Sequence, residues 1–200
     1  MTEEEMMECV VNFMNTSDNS DPKKKRYNIA IRRMEIDDVP KVFHLGEELF
    51  SAKLVPNLYR TWDEYEVVEL FHSDSEFCLV AEIEEDIIGF ALGTTIEKSR
   101  SAWKYGHLIW LGVDPNFQRR GVAERLFNRF RDEMLKDGVR MLLVDTEADN
   151  LPALHFFRKL GFGNPEQHIY LTLNLAAQQQ ELKKKNGPLS MPRHLRKQHE

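Results

Sequence analysis

The 200 residues suffice for one domain with a full core plus short extensions, and their composition is that of an ordinary globular chain. A net charge of −6 argues against a general nucleic-acid binder, and no apolar run approaches the ~20 residues of a membrane span. Two cysteines, Cys9 and Cys78, are too few for a disulfide framework, and the acidic start MTEEEMMECV lacks a signal-peptide layout. A reducing, cytoplasmic setting is therefore expected.

In chain order, Thr2 to Glu5 reads as a capping box, followed by Met6, Met7, Val10, Val11 and Met14 on one helical face. After NTSDNSDP comes KKKR, which reads as a solvated linker into the domain. Ile29 and Ile31 alternate as a first strand. Asp37 is the expected N-cap of a helix carrying Val39, Val42, Phe43, Leu49 and Phe50. LVPNLYR is a loop, and a second helix runs from about Trp62 to Phe71. FCLVAEI and IIGFALGTTI form a hairpin about Glu84, Glu85 and Asp86, and KYGHLIWLGV is a longer strand. Val122, Ala123, Leu126, Phe127, Phe130 and Met134 mark a helix that Asp137 and Gly138 end. RMLLVDT is a strand, and Asn150 to Leu160 is a short helix that stops at Gly161. IYLTLNL alternates from Ile169 to Leu175 and predicts a half-buried closing strand. The order β-α-α-β-β-β-α-β-α-β predicts an α+β fold with a mixed sheet. The Gln- and Lys-rich tail from Ala176 is expected to be a frayed helix followed by disorder.

One junction calls for an explanation. A helix N-terminus favours negative charge, yet QRRGVA (Gln118 to Ala123) places Arg119 and Arg120 there. The arrangement makes sense if an anion arrives. Unpartnered backbone N–H groups of the helix N-terminus would face it, Gly121 would permit close approach, and the arginines would neutralise phosphate; taken alone, the stretch also reads as a plain surface turn. Neither the Walker A ending nor the three-glycine dinucleotide spacing is present.

LGVDPNFQRRGVAERLF resembles the acetyl-CoA motif of the GCN5-related N-acetyltransferase (GNAT) superfamily. Gln118, Gly121 and Ala123 fill its Arg/Gln-x-x-Gly-x-Gly/Ala positions. EADNLPALHFFRKLGF is similar to the second signature, through Asn150, Ala153, Gly161 and Phe162. The resemblance covers about Asn28 to Leu175. It sets the domain at 28–175, between an N-terminal extension (1–27) and a basic tail (176–200).

The resemblance implies a GNAT fold: a mixed central sheet splayed at the cofactor strand, with helices on both faces. It implies acetyl-CoA as co-substrate, an amine as acceptor and no metal, with direct attack in a ternary complex. Leu111, Gly112 and Val113 would meet the pantetheine arm, and a backbone N–H among them would stabilise the oxyanion of the tetrahedral intermediate. Gln118, Arg119, Arg120, Gly121, Val122 and Ala123 would hold the pyrophosphate. Asn150 would sit beside the pantetheine or cap its own helix, and Phe157 would pack on the cofactor or the sheet. The acceptor amine must lose a proton. His107, on the cofactor strand, is the first candidate base, since an imidazole has a reference pKa of ~6.5. Asp145 and Glu147 come second. Relatives often carry a Tyr acid where this chain has Phe157, so that role is not carried over; Tyr170, Tyr105 or water are substitutes. The acidic body offers a weak attraction for cations, and the acceptor groove is expected from FSAKLVPNLYRTW, the next helix, the hairpin and the closing strand. The acceptor itself stays open among small molecules, peptides and proteins, and a homodimer is compatible with the sequence. Two rival readings are a non-catalytic acyl-CoA-binding or sensing protein on the same fold, and an interaction module working through its two ends.

Overall fold

The computed structural model describes residues 27–50, 61–97, 103–166, 169, 171 and 173–177. The expected N-terminal helix, KKKR, LVPNLYR, Tyr170 and the tail beyond Ala177 lie outside the described residues. The chain divides into two units, Met1–Gly163 and Asn164–Glu200.

The first unit is built on five strands: β1 (Ala30–Arg33), β2 (Cys78–Ile83), β3 (Asp86–Glu97), β4 (Lys104–Val113) and β5 (Met141–Val144). Their spatial order is their chain order. The first four pair antiparallel, and β4 pairs parallel with β5. The β2–β3 turn places Glu84 (φ 50°) and Glu85 (φ 77°) both in the left-handed region. That turn twist matches the twist of the flanking strands, here without the usual Asn-Gly. β2 and the first part of β3 are almost wholly apolar because helices cover both faces of the sheet.

On one face α3 (Val122–Lys136) sends Val122, Leu126, Phe127, Phe130 and Met134 onto Leu79, Ala91, Leu108 and Val113. The other face meets α1 (Val39–Leu49) and α2 (Glu64–Ser73), where Val42, Leu45, Val67 and Leu70 pack with Trp62, Phe90 and Trp110. Each such side chain contributes roughly 1.5–3 kcal/mol on burial. Gly46 lets α1 close on that layer, since a Cβ there would lie 2.0 Å from the Trp62 ring. α4 (Leu151–Lys159) ends at Gly161 (φ 97°) and lays Phe157, Leu160 and Phe162 against the α3 layer.

Three expectations are corrected. Asp37 does not cap α1: a short 3-10 turn, Ile36–Asp38, precedes the helix. Asp38 is held by Arg32 Nη2 at 2.9 Å and by the Glu35 N–H at 2.8 Å, so its carboxylate is committed to the turn. The second helix begins at Glu64 rather than Trp62, because Asp63 accepts from the N–H groups of Tyr65 (2.7 Å) and Glu66 (3.0 Å). In the second unit Ile169, Leu171 and Leu173 are exposed and belong to no strand. From Leu175 to Ala177 the backbone turns helical, with Asn174 Oδ1 accepting from Ala177 N at 3.0 Å. Alternation decides which side chains share a face, but a strand also needs a partner. The Asn174 side chain offers the backbone a local alternative.

Candidate active site

The parallel pairing of β4 with β5 runs from Tyr105↔Met141 to Leu108↔Val144 and stops there. β4 continues to Val113 beside β3. At the stopping point the β3 register shifts: Leu92 faces Trp110 and Gly93 faces Leu108, which leaves Ile109 as a bulge residue. Such an insertion bends its strand, and past Leu108 the β5 side of β4 carries no paired strand among the described residues, a fork in the sheet. Asp114 donates its N–H to Ile88 O on β3 at 2.9 Å. Backbone direction alternates along the strand, so Gly112 also faces β3, while the N–H and C=O of Leu111 and Val113 face the open flank.

Past β4 the chain turns through Pro115–Phe117, with Asp114 Oδ1 accepting from Asn116 N at 2.8 Å. Gln118 Nε2 reaches back to Val113 O at 3.2 Å and ties the loop to the strand. Arg119 (φ 57°) and Gly121 (φ 78°) are both left-handed, and Gly121 is the N-cap of α3. The bond from Arg125 N to Gly121 O opens the helix, so the N–H groups of Val122, Ala123 and Glu124 precede the intrahelical ladder. Among the described residues no side chain caps them. A Cβ on Gly121 would meet nothing within 4 Å, so the space beside this N-cap is open. The Val122 side chain is buried, which leaves only its backbone for a ligand. Glu124 is drawn aside by Lys159 at 2.9 Å. Arg120 lies over the rings of Tyr27 (5.2 Å) and Phe117 (5.8 Å), a cation–π seat that holds its guanidinium beside the loop. No spacing in the sequence connects Tyr27 to this loop, and it was missed.

Asn150 caps α4 by accepting from Ala153 N at 3.2 Å, and its Nδ2 donates to Thr146 Oγ1 at 3.1 Å. Phe157 packs edge-on against Phe156 and Phe162, on the α3 layer. A groove of about 570 Å³ opens beside the β2–β3 turn and the end of β4, lined by Tyr27, Lys41, Asp86, Asp114 and Phe117 among others. No candidate catalytic residue lines it.

The faces of β4 separate core from chemistry. A Cβ on Gly106 would meet Met134 at 2.7 Å, so that residue looks toward α3. His107 therefore emerges on the opposite face, with Ile109 and Trp110. Its cross-strand neighbour Thr94 donates to Asp74 Oδ2 at 2.9 Å. Across the fork, His107 Nε2 lies 2.7 Å from Asp145 Oδ1, one residue past the end of β5. Both groups keep contact with water, with side chains 20% and 39% exposed. Two residues expected as alternatives are thus brought together. Glu147 is exposed and has no hydrogen bond to His107. Cys78 is fully buried and its thiol is pushed up to about 12 by desolvation, so it is no nucleophile. Among the described residues no cluster of three or more His, Cys, Asp or Glu could hold a metal ion.

Residues 45–162, more than half of the chain, match the model of the acetyltransferase (GNAT) family. The chain belongs to the GNAT acetyltransferase family. Solved structures share the fold. One is an aminoglycoside acetyltransferase, meta-AAC0020, from an uncultured soil metagenomic sample, solved with trehalose. It is 24% identical, with TM-score 0.59, and the match covers 73% of this chain and 97% of that one. Another is AAC(6')-Iy with the bisubstrate analogue CoA-S-monomethyl-acetylneamine, at 21% identity and TM-score 0.59, covering 74% and 99%. The NatC complex bound to Gag peptide and CoA matches at 19% identity and TM-score 0.58, covering 69% and 86%. As a GNAT acetyltransferase, this protein moves an acetyl group from acetyl-CoA to an amine. The residues present fit that co-substrate: a strand flank with outward backbone groups leads to a helix end with open space beside its N-cap.

Proposed function

We propose that acetyl-CoA lies along the fork, its pantetheine arm against Leu111, Gly112 and Val113 and its pyrophosphate before Gly121, Val122 and Ala123. Bound there, acetyl-CoA supplies the activated acyl carbon. A primary amine reaches it from the His107 face and attacks directly. The observation that carries this reading is the end of β4–β5 pairing at Leu108↔Val144, with the backbone of Leu111 and Val113 turned to the open flank. The Leu111 N–H and C=O and the Val113 N–H pair with amides of the arm, as a further strand would, while Val113 O is held by Gln118. An N–H among them stabilises the oxygen as its charge develops. Gln118 fixes the loop through Val113 O, and Asn150 fixes the start of α4.

Holding both reactants in one cleft supplies much of the acceleration. His107 takes the amine proton. Phe157 has no hydroxyl to offer the departing sulfur, and none is required, since a thiol with a reference pKa of ~8.5 leaves tolerably as thiolate.

The acceptor is an amine on a small molecule, a peptide or a protein. Two of the similar structures are aminoglycoside acetyltransferases and a third holds a peptide, so a screen should span both shapes. Purified protein is mixed with acetyl-CoA and aminoglycosides, polyamines, lysine-bearing peptides or peptides with free α-amino ends, and thiol release is followed. Turnover with one class is the expected result. Tight acetyl-CoA binding without release on any amine would replace the transferase reading with a binding one.

A further inference from the structure

We infer that Asp145 is a positioning residue for His107, fixing the imidazole tautomer so that Nδ1 takes the proton of the acceptor amine. This rests on the reaction proposed above and adds a residue and an atom to it. The carboxylate can only accept, so the short contact at Nε2 places a proton on that nitrogen. In the neutral ring the lone pair is then on Nδ1. Nδ1 makes no hydrogen bond among the described residues.

The backbone explains why these two groups meet. His107 pairs with Leu143 and Leu108 with Val144, so the two strands stay in register up to the fork. Asp145 is the next residue on β5's path, where the strand has ended, and period two puts its side chain on the face of Leu143 and His107. The ring thus bridges the apex of the fork from β4 to β5. The bulge at Ile109 begins one residue beyond Leu108 and turns the rest of β4 away. Asp74, near the cross-strand neighbour of His107, accepts from Thr94 and Ser73 instead. Asp145 is the carboxylate bonded to the ring among the described residues.

In the step itself, the amine nitrogen forms the C–N bond and the C–S bond breaks with its electron pair on sulfur. The proton lost from nitrogen passes to His107 Nδ1. Asp145 stays ionised and balances the imidazolium, which then gives its proton to the thiolate or to water. The pair acts as base and orienter, a division of labour that needs geometry rather than a particular fold.

The test is Asp145→Asn, alone and combined with His107→Ala. The asparagine side chain has nearly the same shape, but its amide can donate to Nε2 and so move the ring proton to Nδ1. Nitrogen-15 NMR of the histidine rings should show the proton on Nε2 in the wild type and on Nδ1 in Asp145→Asn. With the fastest amine from the screen, kcat should fall at least tenfold while KM for acetyl-CoA stays within twofold. The double variant should be no slower than His107→Ala alone. Asp145→Glu, which restores an acceptor on a longer arm, should recover part of the rate. An Asp145→Asn enzyme with wild-type kcat, or the same tautomer with and without the carboxylate, overturns this role and leaves the proposed reaction standing. A wild-type protein inert toward every amine overturns both.

Discussion

Glu133 and Asp145 are both carboxylates set against basic groups, and what is left over differs. Glu133, on α3, is 4% exposed and meets Arg33 at 2.6 Å, Lys136 at 2.9 Å and Arg129 at 3.0 Å. Lys136 and Arg33 hold its carboxyl at about 2. Nothing there remains to exchange with a ligand, and the cluster ties α3 to β1. Asp145 instead meets a ring whose other nitrogen makes no hydrogen bond among the described residues. Helix ends divide the same way. Asp63 caps α2, Asn150 caps α4 and α1 continues from the 3-10 turn Ile36–Asp38, while no side chain caps α3, which follows the left-handed Gly121. Where polar groups satisfy one another they hold the fold. Where one is left open, it marks where a substrate belongs.

The largest effect should come from the open side. His107→Ala should lower kcat by ~10² or more, the usual range for a general base, with acetyl-CoA affinity near wild type. Thiol release gives the rate and calorimetry the affinity. A variant that keeps its rate would hand the role to Glu147 or water.

Glu133→Gln tests the satisfied side. It should lower stability by ~2 kcal/mol near neutral pH, the scale of a hydrogen bond to a charged group, and leave kcat unchanged. Urea unfolding measures the first and thiol release the second. The pH dependence has a definite sign. A carboxyl lowered from its usual 4.5 to about 2 binds its proton later in the folded state than in the unfolded one. Its contribution is therefore complete above the unfolded value and is lost as pH falls toward 2. The gap between wild type and variant should narrow over that window. A gap that stays constant would mean that Glu133 acts through packing alone.

Much of the scaffold was legible because it depends on near neighbours in sequence. Lys104–Val113 and Val122–Lys136 follow from an apolar run and a helical period, each closed by strong punctuation. The segment from Ile169 to Leu175 had equally clean alternation and misled, since its described residues have no partner strand. In the site, the start of α3 after Gly121 follows from local pattern, but Gln118–Ala123 alone reads equally as a surface turn, and the family resemblance gave it a ligand. The fork could not be read locally, because it depends on where β4 stops pairing with β5, and the sequence supplied it only through a family resemblance. The bulge at Ile109 is a property of register against β3, and register is a long-range fact. His107 and Asp145, 38 residues apart, were rivals for one role until the parallel pairing of β4 and β5 made them partners.

The smallest expected effects compare two helix ends. Gly121→Glu should weaken acetyl-CoA binding about tenfold or more, ~1.4 kcal/mol, because its carboxylate would enter the open space and repel phosphate. Any β-carbon at φ 78° also adds strain of ~1 kcal/mol or more. Gly121→Ala shares that strain without the charge, so the difference between the two variants isolates the electrostatic part. Asp63→Ala should do the reverse. Losing a cap that holds two N–H groups of α2 should cost ~1 kcal/mol of stability and leave acetyl-CoA affinity alone. Calorimetry on folded protein and urea unfolding separate the cases. Equal affinities for Gly121→Glu and Gly121→Ala would mean that no phosphate comes near the N-terminus of α3. The open helix end would then be a surface feature, and the contrast with Asp63 would concern folding alone.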